Sequence, residues 1–275
     1  MSFKRNPNLG PSHMRAKRRR LFFIRFYIIL FLLLVVTISL AILSGHEKVK
    51  IQTILISGNA AVANDEILDI VNRDMAGRYF YLFSKSDSLI FPRFRIQTDI
   101  LQEIKTIKDV DISWENWQTI SVLIKERRPH SVWCGNDMTV NATECYFVDK
   151  DGYIYGFAPA FSGNLFLKDY STILTESPIG NYFLPTKTYI QIYNLTDILD
   201  QRGLRVLAVS YDDFDYKFIL EAGPVIIFNN KNSFETSFGN LFTALETKDL
   251  DFEKEAELIN YIDLRFANKI VIGKK

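Results

Sequence analysis

The strongest pattern of hydrophobic positions lies near the start of the chain. Eighteen residues from Phe26 to Leu43 run without a charge, and Leu21–Ile24 extend the apolar stretch across a single interruption at Arg25. A helix rises about 1.5 Å per residue, so roughly 20 such residues cross a hydrocarbon core near 30 Å thick. The pattern predicts one transmembrane helix over 21–44. Arg25 lies one turn in, where a long side chain snorkels to the headgroups. A cleaved secretory signal has a shorter apolar region, about 7–15 residues, and ends in small residues. Leu40-Ala41-Ile42-Leu43-Ser44-Gly45 matches that ending poorly, so the segment reads as an uncleaved anchor.

Shorter periods follow. Val49–Ser57 is rich in β-branched residues and closes on the turn signal Gly58-Asn59. Asn64 is placed to cap a short helix, with Asp65 and Glu66 in its first turn and Ile67, Ile70 and Val71 on one face. Residues 76–95 are aromatic and irregular, and Pro92 interrupts any helix there. Asp99–Lys105 suggests a second short helix carrying Ile100, Leu101 and Ile104. Val110, Ile112 and Trp114 then alternate with polar residues, as do Ile120, Val122 and Ile124, with a turn at Glu115-Asn116-Trp117. Such alternation predicts strands with one buried and one wetted face. Both helices must cover the same side of that sheet.

Beyond residue 129 the pattern continues as strands with two helices. Tyr146–Val148 and Tyr153–Phe157 flank Lys150-Asp151-Gly152 as a hairpin, and residues 158–187 read mainly as loop. Ile192, Leu195, Ile198 and Leu199 form a helical stripe that stops at Gly203. Leu204–Tyr211, Tyr216–Glu221 and Val225–Phe228 suggest successive strands. Phe234, Phe238, Leu241, Phe242 and Leu245 mark a second helix, and Ile259–Arg265 and Asn268–Ile272 close the chain as strands. The fold class expected is α+β, ending in a mixed or antiparallel sheet with helices on one face.

Charge sharpens the picture. The formal net charge is +1, yet the first 45 residues hold eight Lys or Arg and no acid, leaving 25 basic against 32 acidic residues in the remainder. Lys17, Arg18, Arg19 and Arg20 stand directly before the apolar stretch. The positive-inside tendency therefore orients the chain, with 1–20 as a basic cytoplasmic tail and 46–275 outside. An acidic body argues against nucleic acid as its ligand.

Candidate chemistry is sparse. Cys134 and Cys145 are the only cysteines and both fall outside, where oxidising surroundings favour a disulfide worth roughly 2–3 kcal/mol by chain entropy; two free thiols are the alternative. Asp149-Lys150-Asp151-Gly152 superficially suggests a calcium loop, but apolar Phe147 and Ala158 stand where ligands would be needed. His13, His46 and His130 are too scattered for a metal cluster or a catalytic triad. With no phosphate-cradling or nucleophile motif either, the chain is expected to bind rather than to catalyse, without cofactor or metal.

Four motifs in order resemble the FtsQ/DivIB family of bacterial cell-division proteins. They are Ile54–Asn59, the strand ending Glu126-Arg127-Arg128-Pro129 with Trp133 after it, the hairpin Tyr146–Ile154, and the pair Tyr261–Phe266 with Lys269–Ile272. The resemblance implies a POTRA domain (β-α-α-β-β) over 47–128 and an FtsQ-type β domain over 129–275. Residues 76–95 are longer and more aromatic than a minimal POTRA domain needs. It also implies a non-enzymatic scaffold in the cytoplasmic (inner) membrane, enriched at the septum. Its partners would be FtsB/DivIC-like and FtsL-like proteins and, indirectly, the septal peptidoglycan synthase. On the residues alone, the final strand either completes its sheet or stands at an open edge. The resemblance implies an edge that receives a partner strand, with Arg265, Phe266, Asn268, Ile270 and Ile272 as contacts. A POTRA-bearing secretion or assembly factor is the rival reading; it predicts several such domains and a barrel, and one unit without a barrel is read here. An anchored envelope enzyme is a third, and would need a cleft of converging titratable groups.

Overall fold

The computed structural model describes residues 11–136, 144–161, 164–172, 177–212, 214–229, 231, 234–247, 256–266 and 269–275, without the side chains of 11–17 and 235. The chain forms two compact units, Met1–Glu103 with Asp109–Lys125, and Ile104–Lys108 with Glu126–Lys275.

In the first unit α1 (Pro11–Ser44) is one continuous helix. It begins ahead of the basic run, so Lys17–Arg20 lie within it. Arg18–Ser44 is long and apolar enough to cross a membrane, and nothing in the unit covers its apolar side chains. The strand β1 (Thr53–Ser57) follows, then α2 (Asn64–Met75), the short strands β2 (Arg78–Tyr79) and β3 (Phe83–Ser84), α3 (Arg93–Glu103), β4 (Ile107–Asn116) and β5 (Thr119–Glu126). The sheet order is β1-β5-β4, with β1 parallel to β5, while β2 and β3 form their own antiparallel hairpin. Ile67, Ile70 and Val71 are buried as their spacing predicts, together with Ile96, Ile100, Val110, Ile112, Ile120 and Val122.

Three local expectations fail. Asn64 is the first residue of α2 and the cap position falls on Ala63; the Asn64 Oδ1 accepts from the Asn59 side chain at 2.8 Å. The β4–β5 turn falls at Trp117-Gln118, one residue late, because the ladder holds through Asn116. Trp114, on the apolar parity of β4, is exposed. Gly58, at φ +85°, is required where β1 closes on β5: an added Cβ would lie 2.2 Å from the Ile124 carbonyl oxygen.

The second unit is built on a nine-stranded mixed sheet. Its strands are β6 (Ser131–Trp133), β7 (Cys145–Val148), β8 (Ile154–Ala158), β9 (Leu167–Ser171), β10 (Val206–Asp212), β11 (Asp215–Leu220), β12 (Val225–Asn229), β13 (Ile259–Asp263) and β14 (Val271–Lys274). They lie in the order β14-β13-β12-β11-β10-β9-β6-β7-β8. Helices α4 (Thr186–Gln201) and α5 (Phe234–Glu246) bury Tyr189, Ile192, Leu199, Phe238 and Leu241 in one cluster with Phe218, Phe228, Ile226 and Ile262 of the strands. Both helices therefore cover one face. Gly203, at φ +78°, follows the last turn of α4 and stops it there.

The segment 158–187, expected to be loop, contributes β9 to the middle of the sheet, parallel to both β6 and β10. Arg127, in the motif before Pro129, braces the 149–153 turn. Its Nη1 donates to Asp149 Oδ2 at 2.5 Å, its Nε donates to the Lys105 carbonyl at 3.1 Å, and its guanidinium lies 4.0 Å from the Tyr153 ring centre. Asp149 Oδ1 accepts from the backbone N–H groups of Asp151 and Tyr153, which occupies the carboxylate as a turn anchor.

Candidate functional site

The final hairpin is built from β13 and β14, which pair antiparallel as Ile262↔Ile272 and Asp263↔Val271. On its other side β13 runs parallel to β12, so Ile259 and Ile262 are carried into the core beneath the helices. Among the described residues β14 has a strand on one side only and ends the sheet order. An outermost strand offers its outer backbone groups to a further strand.

Tyr261 covers β14 at Gly273, where an added Cβ would sit 2.2 Å from the ring. The glycine permits the close approach, and the ring fills the space that a side chain would take. The strand begins at Val271, not at residue 268, and within it Ile272 is 37% exposed while Val271 is half-buried. Ile270 precedes the strand and packs against the main core. The preceding strand likewise ends at Asp263, two residues before the expected Arg265.

Just after β13 the chain is tied by charge to that strand and to β11. Arg265 donates from Nε to Asp263 Oδ1 at 3.0 Å, from Nη2 to Asp263 Oδ2 at 2.7 Å and from Nη1 to Asp215 Oδ2 at 2.8 Å. Burial alone would raise the Asp263 carboxyl; the hydrogen bonds and charge of Arg265 outweigh it and hold the group below its ordinary value. The guanidinium thus clamps two carboxylates of its own chain, which fits a positioning role better than a contact with a partner acid. Phe266 beside it is 44% exposed, with Lys269 Nζ 4.8 Å from its ring centre. Asn268 lies outside the described residues. Of the residues named from sequence, Phe266 and Ile272 are therefore the exposed apolar pair on this hairpin, Ile270 supports it from below, and Arg265 ties down the chain just after β13.

Cys134 and Cys145 are joined by a disulfide with Cα atoms 4.3 Å apart, closing the loop between β6 and β7. Arg18, Arg19 and Arg20 are exposed on α1, and Lys17 is in the same helix. Among the described residues no three His, Cys, Asp or Glu come together as a metal site.

One polar constellation has no signal in the sequence. Asp169 of β9 is buried, and its Oδ2 accepts from Ser131 Oγ at 2.5 Å and from the Tyr193 hydroxyl at 3.0 Å. Ser131 Oγ lies 3.1 Å from the Tyr189 hydroxyl, and the His130 ring lies tilted against Tyr193 with centroids 4.4 Å apart. Burial pushes the Asp169 carboxyl up to about 7 against the pull of its two donors. Burial likewise lowers His130, opposed by Asp197 and Asp149. Ser131 is fully enclosed by the sheet and α4, so its hydroxyl cannot reach a substrate carbonyl, and the group acts as an internal polar tie between β6, β9 and α4. Compared with known protein families and with curated protein sequences, the chain matches none.

Proposed function

We propose that this chain is a single-pass scaffold of the bacterial division machinery of the FtsQ/DivIB type. In this reading α1 anchors it in the cytoplasmic membrane with the basic end inside. The first unit acts as a POTRA domain, a reading supported by its order β1-α2-α3-β4-β5 once the β2–β3 hairpin inserted between the two helices is set aside. The second unit receives a strand from an FtsB/DivIC-like partner, with an FtsL-like protein in the same assembly, close to the septal peptidoglycan synthase. It performs no turnover of its own.

The observation that carries the proposal is the place of β14 at the end of the nine-strand order, with Phe266 and Ile272 exposed beside it. Strand addition would supply backbone hydrogen bonds, and alternate side chains would supply selectivity. An exposed ion pair adds only about 0–1 kcal/mol, so apolar contact at Phe266 and Ile272 must carry the side-chain share.

The test is capture of FtsB-like and FtsL-like ectodomains from the same organism by the full-length chain in detergent. Phe266→Ala and Ile272→Asp are run alongside, both at exposed positions that leave the core untouched. Capture by the parent and loss in both variants is the expected result. A folded parent that captures neither ectodomain overturns the proposal.

A further inference from the structure

Several exposed apolar side chains of the first unit lie on segments tied to the point where α1 leaves off. The β2–β3 hairpin is fastened there: the Ser84 backbone N–H donates to Ser44 Oγ at 3.0 Å, and both serines are buried. Ser44 is the last residue of α1. At the hairpin tip Phe80 is 87% and Tyr81 94% exposed, with Leu82 beside them. Both aromatic residues hold positive φ, 49° and 62°. That conformation is a genuine outlier for bulky side chains and is retained only where the surroundings enforce it.

The β4–β5 turn is tied to the same point. Gln118 Nε2 donates to the carbonyl of Glu47, three residues past Ser44, and the Gln52 N–H donates back to Gln118. Next to Gln118, Trp117 is 62% exposed. Trp114 donates its indole N–H to Ser88, which itself bonds to Val49. Leu89, Trp114 and Trp117 line a shallow apolar cleft of about 300 Å³.

We infer that these side chains form an aromatic collar that lies in the outer headgroup layer of the membrane α1 crosses; the inference rests on the reading of α1 as a membrane span. Three residues separate Tyr81 from Ser84, at most about 11 Å of chain. The headgroup layer adds about 5–7 Å to each side of the hydrocarbon core. A tip tied to the last turn of the span is therefore within reach of the boundary between acyl chains and headgroups. Tyr and Trp suit that boundary because each has an apolar body and a polar handle. Lys48, Lys50, Arg78 and Lys85 flank the same segments and fit anionic headgroups. Water explains the arrangement poorly, since it would leave strained, fully exposed aromatic rings with nothing to cover them.

The experiment uses the full chain in phosphatidylcholine and phosphatidylglycerol vesicles with brominated acyl chains, reading tryptophan emission. Trp114→Phe/Trp117→Phe keeps only buried Trp133 and sets the baseline. Onto that background Tyr81→Trp reports the hairpin and Phe31→Trp reports the middle of α1. A thermal melt of each variant checks its fold. The collar predicts strong quenching by the brominated chains in the parent and in Tyr81→Trp, absent from the baseline variant, whose emission comes from the buried Trp133. Quenching at Phe31→Trp alone would place the tip and the turn in water and overturn the collar while leaving the anchor intact. No quenching at Phe31→Trp would remove the anchor, and the collar with it.

Discussion

Two buried carboxylates show how one residue type is handled in opposite ways. Asp263 meets a guanidinium and is held ionised below its ordinary range. Asp169 meets two neutral hydroxyls and no cation, and its carboxyl rises to about 7. An unfolded aspartate titrates near 4, so the folded state holds the Asp169 proton more tightly than the unfolded chain does. Its contribution to stability is fully present below about pH 4 and is lost as pH rises through about 7. At about 1.4 kcal/mol per unit, the cost of ionising it is on the order of 4 kcal/mol. The Asp169→Asn variant should therefore lack a fall in urea midpoint that the parent shows between pH 5 and pH 8. Equal slopes in the two proteins would contradict the assignment. None of this was legible beforehand: Leu-Lys-Asp-Tyr-Ser carries two charges, and the partners Ser131 and Tyr193 come from distant parts of the chain.

At the scale of elements, long periods were readable and short strands were not. The stripes at Ile192–Leu199 and Phe234–Leu245 became α4 and α5, because apolar spacing over several turns leaves few alternatives. The strand β9 was hidden by its length and by a buried acid that breaks alternation. For β14 the residue pattern suggested an earlier start, and the pairing of Gly273 beneath Tyr261 is what sets its register. Gly273→Val should force that ring aside and cost about 1–3 kcal/mol. Adding Tyr261→Ala should recover part of the loss in urea denaturation. A double variant no better than the single would mean the glycine is needed for its backbone instead.

Over the whole molecule, the apolar helix α1 and the charge imbalance were legible because both are sums over many residues. Sheet order was not, because neighbours such as Ser131 and Leu167 are brought together only by the finished fold. The disulfide ties the end of β6 to the start of its neighbour β7. Replacing Cys134 and Cys145 by Ser should cost roughly 2–3 kcal/mol. Calorimetry should show this as a lower melting temperature, and an unchanged melting temperature would argue that the loop is already ordered without the bond.

The placement of β9 bears on how this sheet comes apart. Five residues join β6-β7-β8 to β10 and the strands beyond, through parallel pairs to Val132 on one side and Val209 on the other. The hairpins at the two margins close locally, whereas this seam needs segments far apart in the chain. Amide protons of β13 and β14 should accordingly exchange with solvent through small, local openings. Those of β6, β9 and β10 should exchange together, at a rate set by the opening of the whole unit.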